Sequence, residues 1–84
     1  MKTRVLTVYE KLFDGEAREV ILPGCDGEVC VLDFHQSFLY RLRCGYVKIK
    51  PAGLGAAAGG NGSIFIKDGV AAMKDNALDI LIER

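Results

Sequence analysis

The stretch Ala77-Leu78-Asp79-Ile80-Leu81-Ile82 places Leu78, Ile80 and Ile82 on one face of an extended chain, the period-two pattern of a half-buried strand. Tyr46-Val47-Lys48-Ile49-Lys50 repeats it with two apolar residues between two lysines. Working outward from these two segments, shorter extended runs are expected at Arg4 to Tyr9, Glu19 to Leu22, Glu28 to Leu32, Phe38 to Leu42, Ser63 to Lys67 and Val70 to Lys74. Asp14-Gly15, Pro23-Gly24, Asp26-Gly27, Cys44-Gly45, Asp68-Gly69 and Asp75-Asn76 supply turn chemistry between them. No stretch carries apolar residues at helical spacing over a useful length; Ala56-Ala57-Ala58 is too short to count. The expected fold is all-β, a small two-sheet β-sandwich (a flattened barrel) of roughly eight to ten short strands.

The chain has 84 residues, half of them hydrophobic, with four Phe, three Tyr and no Trp. A domain of this size buries only about 60–65% of the surface of its unfolded chain, so one core built from Val, Ile and Leu is expected, and residues 1–84 read as a single domain. Eleven basic residues balance eleven acidic ones, which leaves no field to attract nucleic acid or an anionic membrane surface. No apolar run approaches the length of a signal core or a spanning helix, so a soluble, cytoplasmic chain is expected.

Cys25, Cys30 and Cys44 are odd in number and contain no C-x-x-C pair, which argues against a disulfide framework and a zinc site; reduced, buried thiols are the expectation. The segment Gly53-Leu54-Gly55-Ala56-Ala57-Ala58-Gly59-Gly60-Asn61-Gly62 is too costly in backbone entropy to form an ordered element unaided, and a mobile surface loop is expected at about 51–62. Its G-x-G-x-x-x-G string lacks the strand-to-helix context of a dinucleotide site, and no Gly-Lys-Ser/Thr follows it.

For chemistry the candidates are His35 with Asp33 nearby, the carboxylates Asp26 and Glu28 on either side of Gly27, and Ser37. They supply no nucleophile with a base and an orienting partner, and a single imidazole with scattered carboxylates is a poor metal set. No catalytic residue, metal or cofactor is expected. Polar residues on exposed loops are better suited to contact another protein.

The run Val20-Ile21-Leu22-Pro23-Gly24-Cys25-Asp26-Gly27-Glu28-Val29-Cys30-Val31-Leu32-Asp33-Phe34-His35 resembles the signature of the F-type ATP synthase epsilon subunit family: a Pro-Gly turn, an acidic-Gly-Glu turn, a short apolar strand, then Pro-Gly-His. The leucine-rich part that follows is similar to Phe38-Leu39-Tyr40-Arg41-Leu42, and the late landmarks to Ile64-Phe65-Ile66-Lys67-Asp68-Gly69-Val70-Ala71 and Leu78-Asp79-Ile80-Leu81. The opening also resembles it, through Leu12-Phe13-Asp14-Gly15-Glu16-Ala17. This chain departs from the pattern with Cys30 for Gly, Asp33-Phe34 for Pro-Gly, Ser37 and Cys44 for Pro, and Asp68 for the first Gly of the late turn.

The resemblance implies a non-catalytic central-stalk subunit that packs on the gamma subunit, sits on the c-subunit ring and passes ion-driven rotation to ATP synthesis. It implies a c-ring contact at Asp26, Glu28 and His35 and a gamma contact at Val5, Thr7 and Tyr9. It further implies a peripheral location on the cytoplasmic face of the bacterial inner membrane, held there through the complex, and proton transport as the setting. The family's C-terminal helical hairpin has no counterpart in these residues. The rival readings are a stand-alone β-sandwich that recognises another protein through a sheet edge or loops, and a small metal-dependent enzyme using His35.

Overall fold

In Ala77–Glu83 the side chains of Leu78, Ile80 and Ile82 are buried while Asp79, Leu81 and Glu83 are exposed, as the alternation requires. The computed structural model describes residues 1–52 and 62–84, and among them every regular element is a strand. In chain order these are β1 (Lys2–Leu6), β2 (Lys11–Gly24), β3 (Gly27–Leu32), β4 (Phe38–Leu42), β5 (Gly45–Pro51), β6 (Gly62–Ile66), β7 (Asp68–Lys74) and β8 (Ala77–Glu83). Residues 53–61, most of the expected mobile loop, lie outside the described residues. Pro51 and Gly62, assigned to that loop from sequence, instead end β5 and open β6.

The strands form two halves that share β2. Its first part, Lys11 to Glu16, runs antiparallel to β1, which pairs in parallel with β8, and β7 and β4 follow outward. Its second part lies between β3 and β5, with β6 beyond β5. The register of β2 shifts between Ala17 and Glu19, where the strand passes from one half to the other. Each half buries one face, and Val5, Leu22, Val31, Ile49, Ile66 and Ile80 meet in a common core. A fully buried Leu or Ile of this kind contributes about 1.5–3 kcal/mol.

Six expected strands are found within a residue or two of their boundaries. Two differ. β1 ends at Leu6, not Tyr9, and a turn over Thr7 to Glu10 follows it. β2 was expected only over Glu19 to Leu22, because Asp14-Gly15 and Pro23-Gly24 read as turns, yet both dipeptides lie within the strand. Gly24 is there for space: a Cβ would come 2.7 Å from the carbonyl oxygen of Gly27. Asp68-Gly69 likewise opens β7, and a Cβ on Gly69 would come 2.8 Å from the carbonyl oxygen of Leu81.

The remaining turn chemistry acts as expected. Asp75 and Asn76 both take left-handed angles, φ 52 and 56, the pattern of a two-residue hairpin turn between β7 and β8. Gly27 has φ 128 at the β2–β3 turn. The cysteines correct the sequence expectation: all three are exposed, because Cys25 and Cys44 lie in turns and Cys30 points outward from β3.

Candidate protein-contact surface

Alternation that turns Leu78, Ile80 and Ile82 inward turns Leu81 outward, and the register then sets Leu81 beside Val70 of β7 and Leu6 of β1. Arg41 of β4 is opposite Val70. The result is an outer face with an apolar middle, open to solvent at Leu81, Val70 and Leu39. An open groove of about 690 Å³ lies on it, with Val70 and Leu81 among its walls, the Thr7–Glu10 turn at one side and Arg84 at the rim. Arg41 Nη2 donates to Asp68 Oδ2 at 2.9 Å and Arg41 Nε to Asp68 Oδ1 at 3.1 Å, and the guanidinium holds that carboxyl below its usual range. Arg84 pairs with Glu10 at 3.4 Å. Four of the charged residues at the groove are thus partnered, while Glu83, which also lines it, is exposed.

The three residues expected to face gamma behave differently from one another. Val5 is fully buried in the core, so its side chain is unavailable to any partner; β1 alternation turns it inward. Tyr9 is 94% exposed beside Val8 at 81%. Thr7 is half-buried and its hydroxyl is engaged within the turn, accepting from the Tyr9 N–H at 3.1 Å and the Glu10 N–H at 3.0 Å.

Asp26, Glu28 and His35 do not form one cluster. Asp26 occupies the exposed β2–β3 turn and Glu28 the start of β3, next to the end of β4, where the Cys25 N–H donates to the Arg41 carbonyl at 3.1 Å. His35 follows the other end of β3, its N–H donating to the Leu32 carbonyl at 3.1 Å. Four residue steps along the strand, about 13 Å, separate Glu28 from Leu32. The His35 ring meets Phe38 edge-on at 5.2 Å, Phe38 stacks on Tyr40 at 4.4 Å, and Nδ1 lies 2.9 Å from the Gln36 carbonyl.

Beside His35, Phe34 takes φ 62 and is 82% exposed; its N–H donates to Asn76 Oδ1 at 2.7 Å. Asp33 meets the Met1 ammonium, which also donates to the Ala17 carbonyl at 2.9 Å and lies 3.3 Å from Glu16. Sequence reasoning did not single out Val8, Val70 or Leu81, and named Phe34 only as a departure from the family pattern. The outward position of Leu81 was implicit in the alternation of β8, and that of Phe34 in its standing where a glycine is usual.

No group of three or more His, Cys, Asp and Glu residues disposed to hold a metal is present among the described residues. The described residues thus form an all-β sandwich whose outer face is apolar at Leu81 and Val70, with ion pairs at Arg41–Asp68 and Arg84–Glu10 beside it. Comparison with known proteins supplies the class. Residues 1–84 match the ATP synthase delta/epsilon chain β-sandwich domain, and the chain belongs to that family, a non-catalytic part of the synthase.

The ATP synthase epsilon chain of Herminiimonas arsenicoxydans is 31% identical over 83 residues, covering 99% of this chain and 56% of its own length. The chain therefore spans about half the length of that curated relative. Among solved structures, a chain of the Tetrahymena thermophila mitochondrial ATP synthase central stalk and c ring superposes with a TM-score of 0.79 at 19% identity, covering all of this chain and 63% of that one. A chain of the Euglena gracilis mitochondrial OSCP/F1/c-ring assembly gives 0.85 at 19%, covering all of this chain and 51% of that one. Both support the sandwich fold.

Proposed function

We propose that this chain acts as the β-sandwich part of a central-stalk epsilon subunit, binding the gamma subunit and the c ring and coupling ion-driven rotation to ATP synthesis. It would lie at the cytoplasmic face of a bacterial inner membrane, held there through the complex. The observation that carries this reading is the family match over residues 1–84, and the apolar outer face at Leu81 and Val70 gives it a physical basis. A rigid, close-packed two-sheet body suits the transfer of torque, since such interiors resist compression.

The gamma contact belongs on the outer face of β4, β7, β8 and β1, together with Thr7 and Tyr9. The c-ring contact belongs at Asp26 and Glu28, whose exposed carboxylates offer charge-assisted hydrogen bonds to a polar ring surface. His35 is a second c-ring position, separated from the first by β3. Single variants Glu28→Gln and His35→Ala distinguish the two, because only a residue at the contact weakens ring association without altering the fold. The deciding experiment is purification of the tagged chain from solubilised membranes of its own source, with mass spectrometry of what is retained. Gamma and c subunits are expected; their absence, with some other protein retained, would replace this reading with a stand-alone interaction module.

A further inference from the structure

Among the described residues β3 pairs with β2 and with no other strand, and that pairing runs from Gly24–Gly27 to Glu19–Leu32 without a register shift. On β2 the Pro23 carbonyl accepts from the Arg43 N–H, on the side away from β3, so Leu22 and Gly24 turn their backbone groups toward β3. Their partners Val29 and Gly27 are the residues bonded to β2, and Glu28, Cys30 and Leu32 turn their N–H and C=O groups to the open side. The Leu32 carbonyl accepts from the His35 N–H, outside the sheet, as this parity requires. Soluble proteins blunt an open edge with lysine, proline or a bulge. Gly27-Glu28-Val29-Cys30-Val31-Leu32 holds none of these, and its only charge is Glu28.

We infer that β3 is a docking edge for a second copy of this chain, which adds its own β3 antiparallel about a two-fold axis at Cys30. The occupant follows from self-complementarity. This is the one register in which all three open residues bond one another: Cys30 exchanges both backbone bonds with the partner's Cys30, and Glu28 faces the partner's Leu32. No like charges are opposed. Half-buried Val29 gains an apolar neighbour in the partner's Val31, and Leu32, 52% exposed, meets the stem of the partner's Glu28. Two copies of the sheet half built from β3, β2, β5 and β6 then become one continuous sheet. A contact made by one edge strand is small, so the dimer is weak and exchanges with monomer. The pairing needs no other subunit, so it holds or fails apart from the central-stalk reading.

Sedimentation equilibrium of the isolated chain, from micromolar to millimolar, tests this, and a species of twice 9.1 kDa is expected at the upper concentrations. Leu32→Glu sets carboxylate against carboxylate at both ends of the pairing. It is expected to weaken the dimer about 2- to 30-fold, and Leu32→Lys to strengthen it, since each cross-strand pair occurs twice. Cys30→Lys opposes two ammonium groups at the axis and is expected to abolish the dimer, whereas Cys30→Val keeps it. All these side chains are exposed, and a melting temperature near the parent's verifies that each variant folds. The Cys30 Cα atoms would stand about 5.5 Å apart, within disulfide reach. In a chain carrying Cys25→Ser and Cys44→Ser, added oxidised glutathione is therefore expected to link the two copies. One Cys30 thiolate takes up a glutathione and the other displaces it, so two glutathione thiols leave for each disulfide formed.

A chain that stays monomeric throughout overturns the inference. So does a dimer on which Leu32→Glu and Leu32→Lys act alike; if Leu81→Asp dissolves that dimer, its contact is the apolar outer face and β3 is not the docking edge.

Discussion

Phe34 shows what a single departure from a family pattern costs. At φ 62 it occupies the left-handed region, which glycine enters freely and an L side chain enters at about 1–2 kcal/mol. Its exposed ring recovers little by burial, and the hydrogen bond from its N–H to Asn76 secures the conformation. Phe34→Gly is therefore expected to raise stability by up to about 1 kcal/mol, net of glycine's greater freedom in the unfolded chain, measured by urea denaturation. A loss of stability would mean that the ring packs in a way its exposure does not suggest. Met1 makes the second residue-scale case. Burial opposes the charge on its ammonium, but the hydrogen bonds and attraction of Asp33 and Glu16 outweigh that and hold its pKa above the usual 8.0. A raised pKa means that the stability from this group is fully present below about pH 8 and declines as pH rises through the higher folded value. The urea midpoint should fall through that window, and acetylation of the amine should remove the effect. The sequence shows Phe34 in a glycine's place, but its bond to Asn76 and the ion pairs of Met1 depend on segments far apart in the chain and are not visible there.

β2 is the element least legible in the sequence. Asp14-Gly15 and Pro23-Gly24 carry turn chemistry, and local chemistry alone cannot distinguish a turn from a strand that needs a bare backbone for close approach. The structure separates these glycines. A Cβ on Gly24 meets a carbonyl at 2.7 Å, whereas at Gly15 it makes only ordinary contact with the Phe13 ring at 3.7 Å. Gly24→Ala should cost about 1–3 kcal/mol through overpacking. Gly15→Ala should raise stability by up to about 1 kcal/mol, as an alanine in compatible backbone without a clash does. Equal losses by chemical denaturation would reject this distinction. Strands with strict alternation, β5 and β8, were legible because burial of one face writes itself into every second residue. The contact surface was legible only in part. Tyr9 could be singled out by family likeness, but Val5 could not be told from it without knowing that the strand ends at Leu6 and turns Val5 inward.

At the scale of the molecule, which measures 32 × 26 × 21 Å, one core serves both halves. Ile80 lies within it, fully buried on β8, and Ile80→Ala is expected to cost about 2–5 kcal/mol by thermal or urea unfolding. A negligible loss would contradict the burial. The proposed partner surfaces are divided over the exterior, with an acidic turn at Asp26 and Glu28 and an apolar face at Leu81 and Val70, and no single sequence motif spans them. The parallel pairing of β1 with β8 joins the start of the chain to its last strand at five matched positions. When the first strand is pulled backward and the last forward, the load runs along both strands and across the hydrogen bonds between them. Those bonds then share the force in shear and must fail together, where a hairpin opened from its end would unzip one bond at a time. In the proposed role, between a turning ring and a shaft, such a body would be fastened along the direction in which its two ends would be dragged apart.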